Sequence, residues 1–102
     1  MSKYVLVSVS DKTNILFLVD FLYQKGYSIL STGGTYKEIY NNLIHVRDRL
    51  IQVSDFTGFP EILGGRVKTL HPKIYGGILA DLSKQSHLDQ LNEHQIHPIS
   101  VV

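Results

Sequence analysis

The chain contains no cysteine among its 102 residues. Disulfides, thiolate catalysis and cysteine-ligated zinc are thereby excluded, which is compatible with a reducing compartment. An excess of one charge is missing too: ten Lys and Arg stand against nine Asp and Glu, a formal net charge of +1. So even a balance leaves no basic face broad enough for duplex DNA, and no nucleic-acid partner is expected. No apolar run is long enough to span a bilayer and the N-terminus has no cleavable apolar signal, so the expectation is a cytoplasmic protein without a membrane partner. The histidines at 45, 87, 94 and 97 show no metal-ligand spacing with acidic partners, and no metal is expected. Repeats, low-complexity tracts and linkers are also lacking, and the length allows one domain, residues 1–102.

What is present is an alternation of two periods. Tyr4-Val-Leu-Val-Ser-Val9 is short, β-branched and apolar at nearly every position, as in a strand covered on both faces. Ile15, Leu18, Val19 and Leu22 follow at helical spacing, with Ser10 or Asp11 placed to cap the helix and Gly26 just past its end. Ser28-Ile-Leu-Ser31 reads as a second strand, and Thr35-Tyr-Lys-Glu38 has the form of a capping box for a helix reaching about Leu43. A third strand is expected over Leu50–Val53, then a long polar loop from Gly58 to Pro72 with a helical turn near Pro60. A helix over about 86–94 and a buried strand from Ile99 complete the pattern. Strands alternating with helices predict an α/β fold built on a doubly wound parallel sheet, with ligands at the carboxyl ends of the strands. Tyr23, Tyr27, Tyr36 and Tyr40 are expected to cover the sheet, and Phe56, Phe59 and Pro60 to anchor the long loop.

Three polar turns interrupt the apolar runs: Ser8-Val-Ser-Asp-Lys-Thr13, Ser31-Thr-Gly-Gly-Thr35 and Gly64-Gly-Arg-Val-Lys-Thr-Leu-His-Pro-Lys73. Two readings of the second fit equally well. Gly33 and Gly34 bare the backbone for a phosphate while Thr32 and Thr35 add hydroxyls and Lys12 a point charge; or the glycines only satisfy a tight turn and Thr35 only caps. Asp11 is assigned to capping first, and Ser10 and Lys12 to ligand contact. Lys12 in a first helical turn opposes the helix dipole, a conflict that a bound anion relieves. Arg66 and Lys68, two apart, project to one side of an extended loop with Thr69 opposite, either around an anion or as a solvated basic loop. His71, before Pro72, is biased to extended backbone and reads as a structural histidine.

Taken together, these residues resemble the IMP cyclohydrolase family, the inosinate-forming part of the bifunctional purine biosynthesis enzyme AICAR transformylase/IMP cyclohydrolase, whose fold resembles methylglyoxal synthase. The resemblance runs from about Tyr4 to Val102 and is most specific from Val53-Ser-Asp-Phe-Thr-Gly-Phe-Pro-Glu61 through Gly65-Arg-Val-Lys-Thr-Leu-His-Pro72 to Gly76-Gly-Ile-Leu79. It implies a methylglyoxal synthase-like fold truncated on its C-terminal side, and a purine nucleotide monophosphate held by Ser10, Asp11, Lys12, Thr32, Gly33, Gly34, Thr35, Arg66, Val67, Lys68 and Thr69. It also implies Lys68 as the catalytic group, stabilising charge as an amine attacks a formyl carbon. Ring closure needs no cofactor, folate (10-formyltetrahydrofolate) serves only a transformylase domain not contained in this chain, and the full-length enzyme is expected to be a homodimer. Differences stand beside the likeness. The family's Gly-hydrophobe-Pro turn is missing between Thr35 and Val53, Tyr75 replaces a common His, and later catalytic groups of the family are expected after Val102, so the chain alone is expected to be inactive. Methylglyoxal synthase and a regulatory nucleotide-binding module like that of carbamoyl phosphate synthetase are the competing readings.

Overall fold

The computed structural model describes residues 3–9, 13–60, 63 and 71–102. Among them, strands β1 (Lys3–Val7), β2 (Tyr27–Ser31), β3 (Leu50–Gln52) and β4 (Ile99–Val101) form one sheet in the order β3-β2-β1-β4, every pair parallel. The chain winds outward from β1 through β2 to β3, then crosses to the other side of β1 for β4. Helices α1 (Ile15–Gln24) and α2 (Gly33–Asn42) and a 3₁₀ helix (Ile44–Arg49) link the first three strands, and α3 (Val53–Thr57), α4 (Pro72–Leu79) and α5 (Gln85–Glu93) come before the fourth.

Successive strand residues point to opposite faces, and here both faces are covered, which is why apolar residues stand side by side in the strands, as in Val5-Leu6-Val7 and Ile29-Leu30. Val5, Val7, Ile29 and Leu50 pack with Ile15, Val19 and Leu22 of α1, Ile39 of α2 and Val46 of the 3₁₀ helix. On the other face Leu6, Leu30 and Ile99 pack with Val53 of α3 and Ile74 of α4. Helices therefore lie on both sides of a parallel sheet, the doubly wound architecture that the alternation predicts. The register of β4 on β1 slips between Tyr4 and Val5, and Ile99 and Val101, although two apart, pack against opposite clusters.

Several local expectations are corrected. α1 starts at Ile15 with Asn14 at the N-cap, held at φ 63°, and no side chain caps it. Ser10 and Asp11, expected to cap the helix, and Lys12, expected in its first turn, lie outside the described residues, and the helix begins after all three. Leu18 is half-exposed, so α1 buries Ile15, Val19 and Leu22 only. Thr35 does not open a capping box: α2 begins two residues earlier at Gly33, and Thr35 lies inside the first turn. No helical turn is seen at Pro60 among the described residues; an unexpected helix, α3, comes earlier and closes at Gly58 in the left-handed region (φ 75°), and β3 ends one residue earlier than expected, at Gln52. Tyr23, Tyr27 and Tyr36 pack against the core, whereas Tyr40 is exposed and carries the Arg47 guanidinium 3.9 Å from its ring centroid. Phe59 is half-exposed and Phe56 packs on the second cluster; most of the loop they were expected to anchor lies outside the described residues.

α4 was not legible in the pattern because Gly76 and Gly77 sit inside it. The structure gives the reason for the second glycine: a Cβ at Gly77 would lie 2.4 Å from the His97 carbonyl oxygen and 3.2 Å from Ile99 Cγ1. Close approach of α4 to the chain entering β4 requires the absent side chain. His71 starts α4 from extended backbone (φ −142°, ψ 139°), its Nδ1 accepting from the Lys73 amide at 3.1 Å, a structural role as expected.

Candidate functional site

Because the strands are parallel and in register (Val7 beside Ser31, Ser31 beside Gln52), their carboxyl ends finish together. Three hydrogen-bonded ties then fasten the end of β1 to the start of α2. The buried Ser31 hydroxyl donates to the Val7 carbonyl at 2.8 Å. Ser8 Oγ and Thr32 Oγ1 lie 2.7 Å apart. Thr35 Oγ1 donates to the Val9 carbonyl at 3.0 Å and accepts from the Val9 amide at 3.2 Å. Thr32 and Thr35 are almost wholly buried by these contacts. The Thr35 hydroxyl proton is thus spent on β1, and its contribution at this helix end is its backbone amide.

Thr32 is the N-cap of α2 in extended geometry, its side chain turned to Ser8 and away from capping. The first intrahelical bond here runs from the Tyr36 amide to the Thr32 carbonyl, so the amides of Gly33, Gly34 and Thr35 precede the hydrogen-bonded ladder. Gly33 adopts φ 42°, a conformation open to glycine and strained for other residues. These amides and the helix dipole make the start of α2 electropositive.

Beside it opens a cavity of about 360 Å³, walled by Ser31, Thr32 and Gly33 from the β2–α2 turn, Tyr36 and Lys37 from α2, Gln52, Val53 and Ser54 from the β3–α3 junction, and Pro60. Lys37 is the one charged side chain among these lining residues. Ser54 Oγ donates to Gln52 Oε1 at 3.4 Å across the far wall. A lining of amides, hydroxyls and one cation suits an anionic ligand with a polar body, and the volume is that of a small-molecule site.

The structure brings together four of the sequence-predicted residues, Thr32, Gly33, Gly34 and Thr35. Ser10, Asp11, Lys12, Arg66, Val67, Lys68 and Thr69 lie outside the described residues. Sequence reasoning missed Tyr36, Lys37, Gln52 and Ser54. For Gln52 and Ser54 a signal existed, since polar residues flank Val53 where a strand ends, the same break that marks the other two turns. Among the described residues no group of His, Asp and Glu could hold a metal ion, and no helix is long and apolar enough to cross a membrane.

The sequence profile of the MGS-like domain matches residues 14–102, which hold three of the four strands and all of the described helices. The chain belongs to this family. Within it, the chain is 50% identical over 102 residues to the bifunctional purine biosynthesis protein PurH of Thermoanaerobacter sp. (strain X514), covering all of this chain and 19% of that protein. It is 54% identical to PurH of Clostridium acetobutylicum, again over its full length and 20% of the relative, and 49% identical to PurH of Bacillus subtilis over 98% of this chain and 19% of the relative. The MGS-like chain thus spans about a fifth of the length of these relatives. Among solved structures, the crystal structure of ForH superposes with a TM-score of 0.82 at 34% identity, covering 99% of this chain and 51% of that one.

Proposed function

We propose that this MGS-like domain is the IMP cyclohydrolase part of a bifunctional purine biosynthesis enzyme, binding a purine ribonucleotide by its phosphate and closing the second ring. The observation that carries the proposal is the start of α2, where three backbone amides precede the helical ladder beside a cavity whose described lining residues include one cation and no carboxylate. A nucleotide phosphate at the amides directs the ribose and base along the cavity toward Gln52 and Ser54. Extensive identity with proteins named as bifunctional purine biosynthesis enzymes supports the same substrate class.

The chemistry follows from the substrate. The carboxamide nitrogen of the formylated aminoimidazole carboxamide ribonucleotide attacks the formyl carbon carried by the neighbouring amine, the formyl oxygen gathers negative charge, and the adduct loses that oxygen as water, with protons from the attacking nitrogen, as the ring becomes aromatic. Such a reaction needs alignment of two groups already in one molecule and a cation near the developing oxyanion. Lys68 is the proposed cation, with Arg66, Val67 and Thr69 beside it, and Ser10, Asp11 and Lys12 complete the phosphate side. No cofactor takes part in ring closure. The formyl group would be delivered from 10-formyltetrahydrofolate by a separate transformylase domain, and the complete enzyme would act as a homodimer in the cytoplasm.

The test uses a chain extended to the length of the PurH relatives, with and without Lys68→Ala. Inosinate formation is followed spectroscopically and substrate affinity by equilibrium binding. The proposal expects the rate to fall by about a hundredfold or more with affinity changed by less than about threefold, because the interaction is made in the transition state. Equal losses of rate and affinity would move Lys68 to ground-state binding, and turnover of triose phosphate in place of inosinate formation would replace the reading with methylglyoxal synthase.

A further inference from the structure

A second cleft, of about 370 Å³, lies between α3 and α4 and is separate from the cavity at the start of α2. One wall is aromatic: the rings of Tyr4, Phe56 and His97 form a tilted cluster, with centroids 5.4 Å apart for Tyr4 and Phe56 and 5.3 Å for Tyr4 and His97. The Asp55 carboxylate and the Lys73 ammonium both border the cleft. Neither makes an ion pair or a side-chain hydrogen bond among the described residues, with each other or with any neighbour.

The two charges differ in how the fold accounts for them. Asp55 lies in the first turn of α3, where a carboxylate meets the positive end of the dipole favourably. Lys73 lies in the first turn of α4, where a cation opposes the dipole, and that turn contains no acidic residue to compensate. A half-buried lysine at the wrong helix end, bordering the same cleft as an uncommitted carboxylate and an aromatic wall, is a local conflict that packing does not resolve. Gln95, on the remaining side, is held at φ 56°, a strained backbone conformation for a residue other than glycine.

A ligand that answers these features carries both charges. A simple anion would meet Asp55, and a simple cation would meet Lys73. We propose that the cleft binds a small zwitterion with a flat apolar body, the chemical class of the aromatic α-amino acids: carboxylate to Lys73, ammonium to Asp55, ring against Tyr4, Phe56 and His97. Ring-on-ring contact and cation–π attraction at the aromatic wall add to the two charge-assisted hydrogen bonds.

The experiment titrates the 102-residue chain with L-phenylalanine, 3-phenylpropionate and phenethylamine, reading the ring resonances of Tyr4, Phe56 and His97 by NMR. The zwitterion is expected to shift all three saturably, with each singly charged analogue weaker by about tenfold or more, the loss of one charge-assisted hydrogen bond. Asp55→Asn and Lys73→Met should each weaken L-phenylalanine by a similar factor while inosinate binding stays unchanged, and unaltered melting curves show that the variants fold. Absence of shifts at about 10 mM L-phenylalanine, or equal affinity for the three probes, overturns the proposal.

Discussion

Replacing Gly77 by alanine tests how α4 is seated on β4. The new Cβ would stand 2.4 Å from the His97 carbonyl oxygen, and neither partner can rotate away because one is fixed by the helix and the other by the backbone entering β4. Relief requires α4 to retreat by about 1 Å, which loosens Ile74 from Leu6, Leu30 and Ile99 and forfeits dispersion contacts along that face. Overpacking of this kind costs about 1–3 kcal/mol. A backbone clash belongs at the upper end, while the better helix propensity of alanine returns about 1 kcal/mol. The net expectation is a loss of about 2 kcal/mol, or a melting temperature lower by about 8–16 °C in a domain of this size. Gly76→Ala is the internal control. Its Cβ meets the terminal methyl of Ile96 at 3.2 Å, a flexible side-chain end, so the propensity gain should survive and the melting temperature should hold or rise slightly. Urea and thermal denaturation followed by circular dichroism at 222 nm measure both. Equal stability of the two variants would refute the close approach of α4 to the β4 entry.

Three further outcomes are expected. Ser31→Ala removes a buried hydroxyl that donates to the Val7 carbonyl and should destabilise by about 1 kcal/mol in urea denaturation, with helix content unchanged. Thr35→Val removes both hydrogen bonds to Val9 while keeping the shape, and should cost about 1–3 kcal/mol and weaken nucleotide binding together, whereas Thr35→Ser should preserve both. The hydrogen bond from His45 holds the Asp20 carboxyl below its usual 3.8. A carboxyl depressed on folding contributes stability that is present above 3.8 and lost as the pH falls through the lower folded value. The stability difference between wild type and Asp20→Asn should therefore shrink as the pH drops below 3.8, and a difference that stays constant to pH 2 contradicts the pairing.

The sheet was legible because its strands are covered on both faces, so Tyr4–Val9 is apolar at nearly every position and Ser28–Ser31 holds adjacent apolar residues, Ile29 and Leu30, that go to opposite faces. α1 was legible from Ile15, Val19 and Leu22, and its end from Gly26, which adopts φ 94°. Its start was not. Ser10 and Asp11 are good capping residues by type, but the helix begins after Asn14 without a side-chain cap, and propensity does not encode which polar residue the tertiary structure uses. The same failure misread Thr35: a Thr-x-x-Glu spacing looks like a capping box, whereas packing turns that hydroxyl toward Val9 and lets two glycines form the first helical turn. α4 was hidden because its two glycines oppose helix propensity, and a contact with His97, twenty residues away in sequence, is invisible to local pattern. For the site, the glycine turn announced the start of α2, while Lys37 and Gln52 were missed because their membership depends on β3 lying beside β2.

The central claim is that the start of α2 holds the phosphate of a purine nucleotide, and backbone NMR of the 102-residue chain titrated with inosinate tests it most directly, with inosine as the arm lacking phosphate. The account predicts that inosinate moves the amide resonances of Gly33, Gly34 and Thr35 first, that Gln52 and Ser54 follow, and that inosine leaves the glycine amides in place. The shifts should diminish as salt is raised, since a phosphate at a helix start and a lysine is screened by ions. Equal shifts from inosine and inosinate, or shifts confined to residues away from the start of α2, would contradict it.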